Sequence, residues 1–583
     1  MLKKSLRQLL EKNRLSKSME RIAKLIRRLG ILCFCLLISF IPQSAFGTVD
    51  SVSPSDSSAG ATVIYTINFT TTDTLPPDGK IVVTFNSGFD LSGVMIASSN
   101  SIDGGFSVNT TSTTVTITRD ATGDTTPPGS LDISFANVVN DTTAGSDSVT
   151  VKTRKSDNTL IENVGSGSFS IVAANLDHFN INTIGDQTAG SSFTIDITAK
   201  DAYDNTVTSF TGMVSIQDLT GTITPTTSGS FTGGTISQSV TITKSKTNNT
   251  ITVSANGKSG TSNSFNVVAG ALDHFIVAAD TNETLISSQT AGQAFSLGIV
   301  AKDEYENTVR SFTGTLDLSD DTGTLNPSTA NMSGGVWQGN VTITKAQSDV
   351  RITATYGTVS DQSNYFNVNA GSLDHFVIGS ISTQSAGEPF TITVTAQDAW
   401  NNTVTSFTGT VSISDSTGTI TPSTSDNFTS GFLTQQVTIT QIRDDDRVTV
   451  TRTGGTETGQ SNLFDVISSS VDHFDISAIS SPQTAGEAFS ITITAKDAND
   501  NTVTSFTGTA NLSDVTGTIS PTITGSFSSG VWEGNVTITK SISGDIITVT
   551  SSGKSGTSNS FNVVAGALDH FIVAADTNET LIS

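Results

Sequence analysis

Histidine occurs five times in 583 residues, and each time in the same setting: LDHF at His178, His274, His375 and His570, and VDHF at His473. The copies stand 96, 101, 98 and 97 residues apart. Between them the same landmarks return in the same order. An AG dipeptide ends at Gly190, Gly292, Gly387 and Gly486, and an acidic turn follows, written KDAYDN, KDEYEN, QDAWNN or KDANDN. FTG comes next, at Phe210, Phe312, Phe407 and Phe506. Then come TGT with Pro225, Pro327, Pro422 or Pro521 shortly after it, VTIT, and SN-x-F-x-V. A period of this length is the size of one small domain, so the chain must fold as a tandem array of similar units rather than around one large core.

Each unit reads as β. In FTIDITAK, Phe193, Ile195, Ile197 and Ala199 alternate with Thr194, Asp196, Thr198 and Lys200, the period-2 pattern of a half-buried strand. Val240 and Ile242, Ile251 and Val253, and Phe265 and Val267 repeat that pattern, with threonine dominating the outward positions and Gly, Asn, Asp and Pro between the runs. About seven short strands per unit predict an all-β chain, a tandem array of Ig-like β-sandwich domains. The expected boundaries are 175–269, 270–370, 371–468 and 469–565 for four repeats, with 566–583 opening a fifth. Residues 48–174 lack the landmarks but hold strand-like runs such as ATVIYTINFT and GKIVVTF with the turn LPPDGK, and are read as a separate β-sandwich domain.

The start of the chain is different. Ten Lys or Arg and two Glu precede the apolar run LGILCFCLLISFI, residues 29–41, which is too short to span a bilayer and reads as the core of a signal peptide. The small residues of Ala45-Phe46-Gly47 place cleavage before Thr48, giving a signal peptide over 1–47, and Met19 offers an alternative start. The remainder keeps 19 basic and 51 acidic residues, a net charge of −32. That surface repels nucleic acid and anionic lipid, so neither nucleic-acid binding nor membrane insertion of the mature chain is expected. Both cysteines, Cys33 and Cys35, fall in the signal segment, which excludes disulfides and cysteine metal sites from the exported part.

Candidate chemistry is thin. Five Asp-His pairs suggest acid–base dyads or metal ligands, but strand neighbours point to opposite faces, so Asp177 and His178 are expected not to converge on one ion and to serve the junction between units. DANDN, residues 497–501, spells a calcium-linker pattern and leaves weak calcium binding open, although Asp and Asn suit such a turn by bonding their own backbone. The TGT glycines read as tight turns, since no helix follows to cradle a phosphate. Trp337 and Trp532 could stack on carbohydrate, yet Ile236 and Leu433 at the matching positions point to packing. No nucleophile–base set assembles, so no catalytic, cofactor-binding or metal-ligating residue is assigned, no cofactor is expected, and the fragment is not read as an enzyme.

The order of acidic turn, VTSFTG, TGTITP, GVWEGNVTITK and ITVTSSGKSGTSNSFNV over residues 175–583 resembles the bacterial immunoglobulin-like repeats of invasin- and intimin-type surface proteins. The resemblance implies rigid stalk domains on a cell surface, with an unknown surface protein or glycan as ligand. The expected role is therefore an exported cell-surface or extracellular stalk or adhesin. The alternative is the spacer of a secreted enzyme or carbohydrate-binding protein whose active domain lies beyond this stretch. Residues 258–287 and 554–583 are identical, which predicts a duplicated three-unit block and translation continuing past Ser583 with a sequence close to residues 288–309.

Overall fold

The computed structural model describes residues 46–571. All but the last two residues of the expected signal segment, and the last twelve residues of the fifth copy, lie outside the described residues. The chain divides into two compact units, Met1–Gly270 and Ala271–Ser583. Among the described residues there is no helix, so the all-β reading holds, and no segment is long and apolar enough to cross a membrane as a helix.

The first unit opens with nine strands: β1 (Thr48–Pro54), β2 (Thr62–Thr71), β3 (Lys80–Phe85), β4 (Ala97–Ser98), β5 (Phe106–Thr110), β6 (Thr114–Arg119), β7 (Gly129–Val139), β8 (Gly145–Arg154) and β9 (Leu160–Ile171). They form two sheets, β1-β2-β7-β4 and β5-β6-β3-β8-β9. Alternation places Tyr65, Ile67 and Phe69 of β2 and Ile81, Val83 and Phe85 of β3 in the shared core. Rings dominate that core. Tyr65 meets Phe85 edge-on at 5.2 Å and Phe169 at 5.4 Å, an arrangement in which ring edges face ring centres. Burial pushes the Tyr65 hydroxyl above its ordinary range, and it donates to Asn140 Oδ1 at 2.8 Å. The LPPDGK segment turns as read, with Gly79 N donating to the Pro76 carbonyl at 2.9 Å.

Nine strand segments follow in the first repeat: β10 (His178–Ile181), β11 (Gln187–Thr188), β12 (Ser192–Lys200), β13 (Ser215–Asp218), β14 (Thr235–Thr241), β15 (Lys246–Asn249), β16 (Ile251–Ala255), β17 (Lys258–Thr261) and β18 (Phe265–Val268). The order β10-β12-β14 makes one sheet, and β13-β16-β17 and β11-β18-β15 make two more. β15 and β16 are two halves of one bent strand split at Thr250, the first half pairing with β18 and the second with β13 and β17. The short β11 runs parallel to β18. Ile195, Ile197 and Ala199 of β12 are buried while Thr194 and Asp196 face solvent, as the period-2 pattern requires.

Two landmarks explain themselves here. Asn263 of SN-x-F-x-V accepts from Ile184 N at 2.7 Å and donates Nδ2 to the Ile184 carbonyl at 2.8 Å, fastening the first loop of the unit to its last strand. Asn364, Asn462 and Asn559 do the same with Ile286, Ile381 and Ile479. In the TGT turn, Asp218 accepts from Thr220 N and Oγ1, Thr222 N and Ile223 N, while Gly221 supplies the positive φ of +71°.

The second unit carries three more copies with the same pairing, the first of them adding the strand Thr329–Met332 beside Gly314–Asp320. Their first sheets are 274–278, 294–302 and 336–342; then 375–378, 390–397 and 432–437; then 473–476, 488–496 and 531–537.

Candidate functional site: a junction built from the acidic turn

The acidic turn follows the long central strand of each repeat. In the first copy Asp201 opens it and Asn205 closes it. Asp201 is fully buried, and its Oδ1 accepts from Tyr203 N at 2.9 Å and Asn205 N at 2.8 Å. Oδ2 accepts from Asn205 Nδ2 at 2.9 Å and from Ala174 N, in the segment leading into the repeat, at 2.8 Å. Burial alone would push this carboxyl up, but the bonds from Asn205, Ala174 and Tyr203 outweigh it and hold Asp201 below the usual carboxylate range.

Asn205 then reaches out of its own domain. Its Nδ2 donates to the Thr142 carbonyl at 2.7 Å and its Oδ1 accepts from Ala144 N at 2.8 Å, so one amide grips the main chain between β7 and β8 in both directions. The same grip recurs within the second unit. Asn402 donates to the Thr344 carbonyl at 2.8 Å and accepts from Ala346 N at 2.7 Å, with Asp398 holding Gly371 N at 2.7 Å. Asn501 donates to the Thr440 carbonyl at 2.6 Å and accepts from Ile442 N at 3.4 Å, with Asp497 holding Ser469 N at 3.2 Å. Asp398 repeats the balance of Asp201: burial raises it, and the bonds from Asn402, Gly371 and Trp400 prevail and lower it. In the remaining copy Asp303 bonds Tyr305 N, Asn307 N and Asn307 Nδ2 at 2.9, 2.8 and 2.9 Å.

The third residue of the turn rests on a glycine of the preceding domain. A Cβ on Gly292, the AG glycine, would stand 2.0 Å from Trp400 Nε1, and one on Gly387 would stand 2.2 Å from Asn499 Nδ2. Tyr203 lies over Gly60 in the same way, at 2.2 Å from its Oη. Glycine is required at these places both for its positive φ and for the room it leaves.

The sequence reading assigns the junction to the Asp-His pairs; the acidic turn, which lies inside each unit, is not linked to it there. The signal was present: Asp and Asn four apart are kept in every copy, while the residue between them changes among Tyr, Trp and Asn. Strand alternation does not separate Asp177 from His178. Asp177 lies just before β10, and both side chains sit at the surface, with His178 Nδ1 3.3 Å from Asp177 Oδ2 and Nε2 3.2 Å from Asp204 Oδ1 of the acidic turn. His473 lies likewise between Asp472 and Asp500, at 3.5 and 3.3 Å, and His274 between Asp273 and Glu306, at 3.0 and 3.4 Å. His178 and His473 thus brace turns that grip the preceding domain. Lys258 joins Asp177 at 2.9 Å, and Lys554 joins Asp472 at 2.7 Å; hydrogen bonds from the lysine lead the causes that lower both carboxyls.

In DANDN both Asp497 oxygens already accept N–H donors from Ser469, Asn499 and Asn501, so a calcium ion there would have to displace them. No group of three or more His, Cys, Asp or Glu suited to a metal occurs among the described residues. Trp532 is half-buried against the core of its repeat and covers Gly534, and Trp337 covers Gly339 in the same manner.

No family model matches the chain, and no curated protein matches it. Among solved structures the chain is similar to the Escherichia coli adhesin FdeC, at 20% identity over 52% of this chain and 100% of that one, with a TM-score of 0.29. It is similar to InvD of Yersinia pseudotuberculosis, at 16% identity over 56% of this chain and 98% of that one, TM-score 0.28. It is also similar to invasin, a bacterial integrin-binding protein, at 16% identity over 76% of this chain and 82% of that one, TM-score 0.26.

Proposed function

We propose that this chain is an exported surface stalk of the adhesin type, whose repeats act as tied spacers and perform no chemistry of their own. The observation that carries the reading is the Asn205, Asn402 and Asn501 grip, in which a side chain of one domain bonds the main chain of the domain before it, both ways, three times over. A spacer needs that: a flexible linker would let each domain tumble, whereas bonds on both sides of a junction restrict it. The strongly acidic, cysteine-free exported part suits a secreted protein that must not stick to nucleic acid or anionic lipid.

The test uses the freedom from native cysteines after residue 35. Spin labels at Gln338 and Thr434, exposed residues of the second and third repeats, report the distance across one junction. A narrow distance distribution is expected, broadened when Asp398 and Asn402 are both changed to Ala while each repeat stays folded. A broad distribution in the unaltered protein would overturn the stalk reading.

A further inference from the structure

The third and fourth repeats each bury a carboxyl oxygen with nothing bonded to it. Asp446 and Asp545 are fully buried, and in both Oδ2 lacks a hydrogen-bond partner. Their Oδ1 atoms are satisfied: Asp446 accepts from Ser416 N at 2.9 Å and Arg447 N at 2.7 Å, and Asp545 from Val515 N at 3.0 Å and Ile546 N at 2.9 Å. A buried carboxylate oxygen that accepts no hydrogen bond is strongly disfavoured.

The first repeat shows where that oxygen points. Asn249 occupies the same position, also fully buried, with its Oδ1 accepting from Leu219 N at 3.1 Å, the counterpart of Ser416 N and Val515 N. Its other atom, Nδ2, donates to Asp218 Oδ2 at 3.0 Å. The residues matching Asp218 are Asp415 and Asp514, in the same TGT turn, each with its Oδ2 bonded to the following threonine hydroxyl. By that correspondence the third and fourth repeats put a carboxyl group, in place of the amide donor, on the side of the Asp415 or Asp514 carboxyl. The second repeat has Val350, which asks for no partner.

We infer that Asp446 with Asp415, and Asp545 with Asp514, each hold one proton between them, so that Asp446 and Asp545 donate where Asn249 donates its amide hydrogen. Two like charges in contact in a dry site cannot both ionise, and one shared proton resolves the conflict. The other oxygens favour Asp514 as the anion. Burial pushes its carboxyl up, but hydrogen bonds from Thr516, Ile519 and Thr518 outweigh that and hold it below the usual range. A proton also fits the direct 3.0 Å contact seen at Asn249.

The charged groups on the surrounding strands are few. In the fourth repeat the strands 511–514, 542–545, 547–551 and 561–564 carry no charge besides the pair, and Lys540 beyond the turn is exposed. In the third, Arg443, Asp444, Asp445, Arg452 and Asp465 lie on the corresponding strands, and the Arg447 guanidinium next to Asp446 turns to Gln460 Oε1 at 2.7 Å.

The sign of the pH effect follows. While the pair is protonated, the folded repeat binds one more proton than the unfolded chain, whose carboxyls ionise near about pH 4. The ratio of folded to unfolded therefore falls as pH rises, about tenfold per pH unit for each pair, until the pair itself releases its proton. The first and second repeats lack this dependence. They are internal controls in the same molecule.

The test is infrared spectroscopy of the full chain at neutral pH with isotope-labelled aspartate, against the Asp446→Asn, Asp545→Asn double variant. The expected result is the carbonyl stretch of protonated aspartic acid in the unaltered protein and its loss in the variant. Hydrogen exchange on 443–452 and 542–551 is expected to loosen toward alkaline pH in the unaltered protein and not in the variant. No protonated-carboxyl band, or a band that survives the substitutions, overturns the inference. So does a stabilisation by added sodium or calcium that the substitutions abolish, since a metal ion would then fill the place. The unaltered protein alone decides the first point should the variant fail to fold.

Discussion

The second repeat and its three siblings share the turns and most of the strand pairings described above, yet they differ in core and outer face together. In repeats one, three and four a phenylalanine trio meets at the end of the sandwich: Phe210 and Phe231 at 4.9 Å, Phe407 and Phe428 at 4.9 Å, Phe506 and Phe527 at 5.0 Å, each with the LDHF phenylalanine beside them. In the second repeat Met332 takes the buried position of Phe231, and Tyr356 from another strand supplies the ring edge to Phe312 at 5.0 Å. Gly260, Gly459 and Gly556 let a strand close against the carbonyls of Phe179, Phe376 and Phe474, where a Cβ would come within 1.9, 2.2 and 1.7 Å. The second repeat has Asp361 there, and its carboxylate accepts from Phe275 N at 2.8 Å.

Residues 279–287, ADTNETLIS, lengthen the first segment of the second repeat, where Gln289 lies fifteen residues past His274 against nine or ten in the siblings, and show the same compensation. Asp280 organises it by accepting from Asn282 N, Thr284 N and Thr284 Oγ1, bonds that hold its carboxyl below the usual range, the Thr284 amide first among them. Glu283 pairs with Lys302 at 2.5 Å. The segment lies on a face that the siblings leave to solvent, so Gly298 and Val300 are buried where Asp196 and Thr198, or Thr492 and Thr494, are not. Gly298 is obligatory, because a Cβ would sit 2.2 Å from the Asp280 carbonyl carbon. Turns and main-chain fasteners are thus kept in every copy, while packing residues vary in matched sets.

The largest expected effect is on that packing difference. Phe231→Ala, Phe428→Ala or Phe527→Ala should destabilise its own repeat by about 3–5 kcal/mol, the cost of a large cavity. Met332→Phe should not improve the second repeat but cost about 1–3 kcal/mol, because the ring would compete with Tyr356 for Phe312. Denaturant-dependent hydrogen exchange resolved by repeat is the measurement, since a multidomain chain has no single unfolding transition. A stabilised Met332→Phe variant would erase the distinction between the second repeat and the others.

Next in size is Gly298→Thr, which writes the sibling residue into the second repeat. It should cost about 1–3 kcal/mol and release residues 279–287, with exchange protection lost there and kept in the strands beneath. Unchanged protection over 279–287 would mean that the segment does not depend on the missing side chain.

The smallest effect is expected at the histidines. His178→Ala and His473→Ala remove partly exposed pairs with carboxylates and should leave unfolding unchanged within error, with a slight broadening of the junction as the only trace. Zinc or nickel binding abolished by these substitutions would reverse the structural reading of the LDHF motif.

What is local or periodic was legible in the amino-acid order. Alternation in FTIDITAK assigned the faces of β12, and the Gly and Pro positions marked turns, because each depends on neighbours within a few residues. The seven-strand estimate came close for the same reason, once the bent strands are counted whole. Only the tertiary structure decided the rest. β9, at twelve residues the longest strand of the first domain, runs through Gly165, Ser166, Gly167 and Ser168, which have poor strand propensity, and exists because β8 offers it a full ladder. The role of Asn205 depends on a carbonyl 63 residues earlier, and that of Asp446 on a turn 30 residues before it. Neither distance is written in local spacing, because a hydrogen bond is made wherever folding brings donor and acceptor together, and the burial that makes it matter exists only after the sheets have closed.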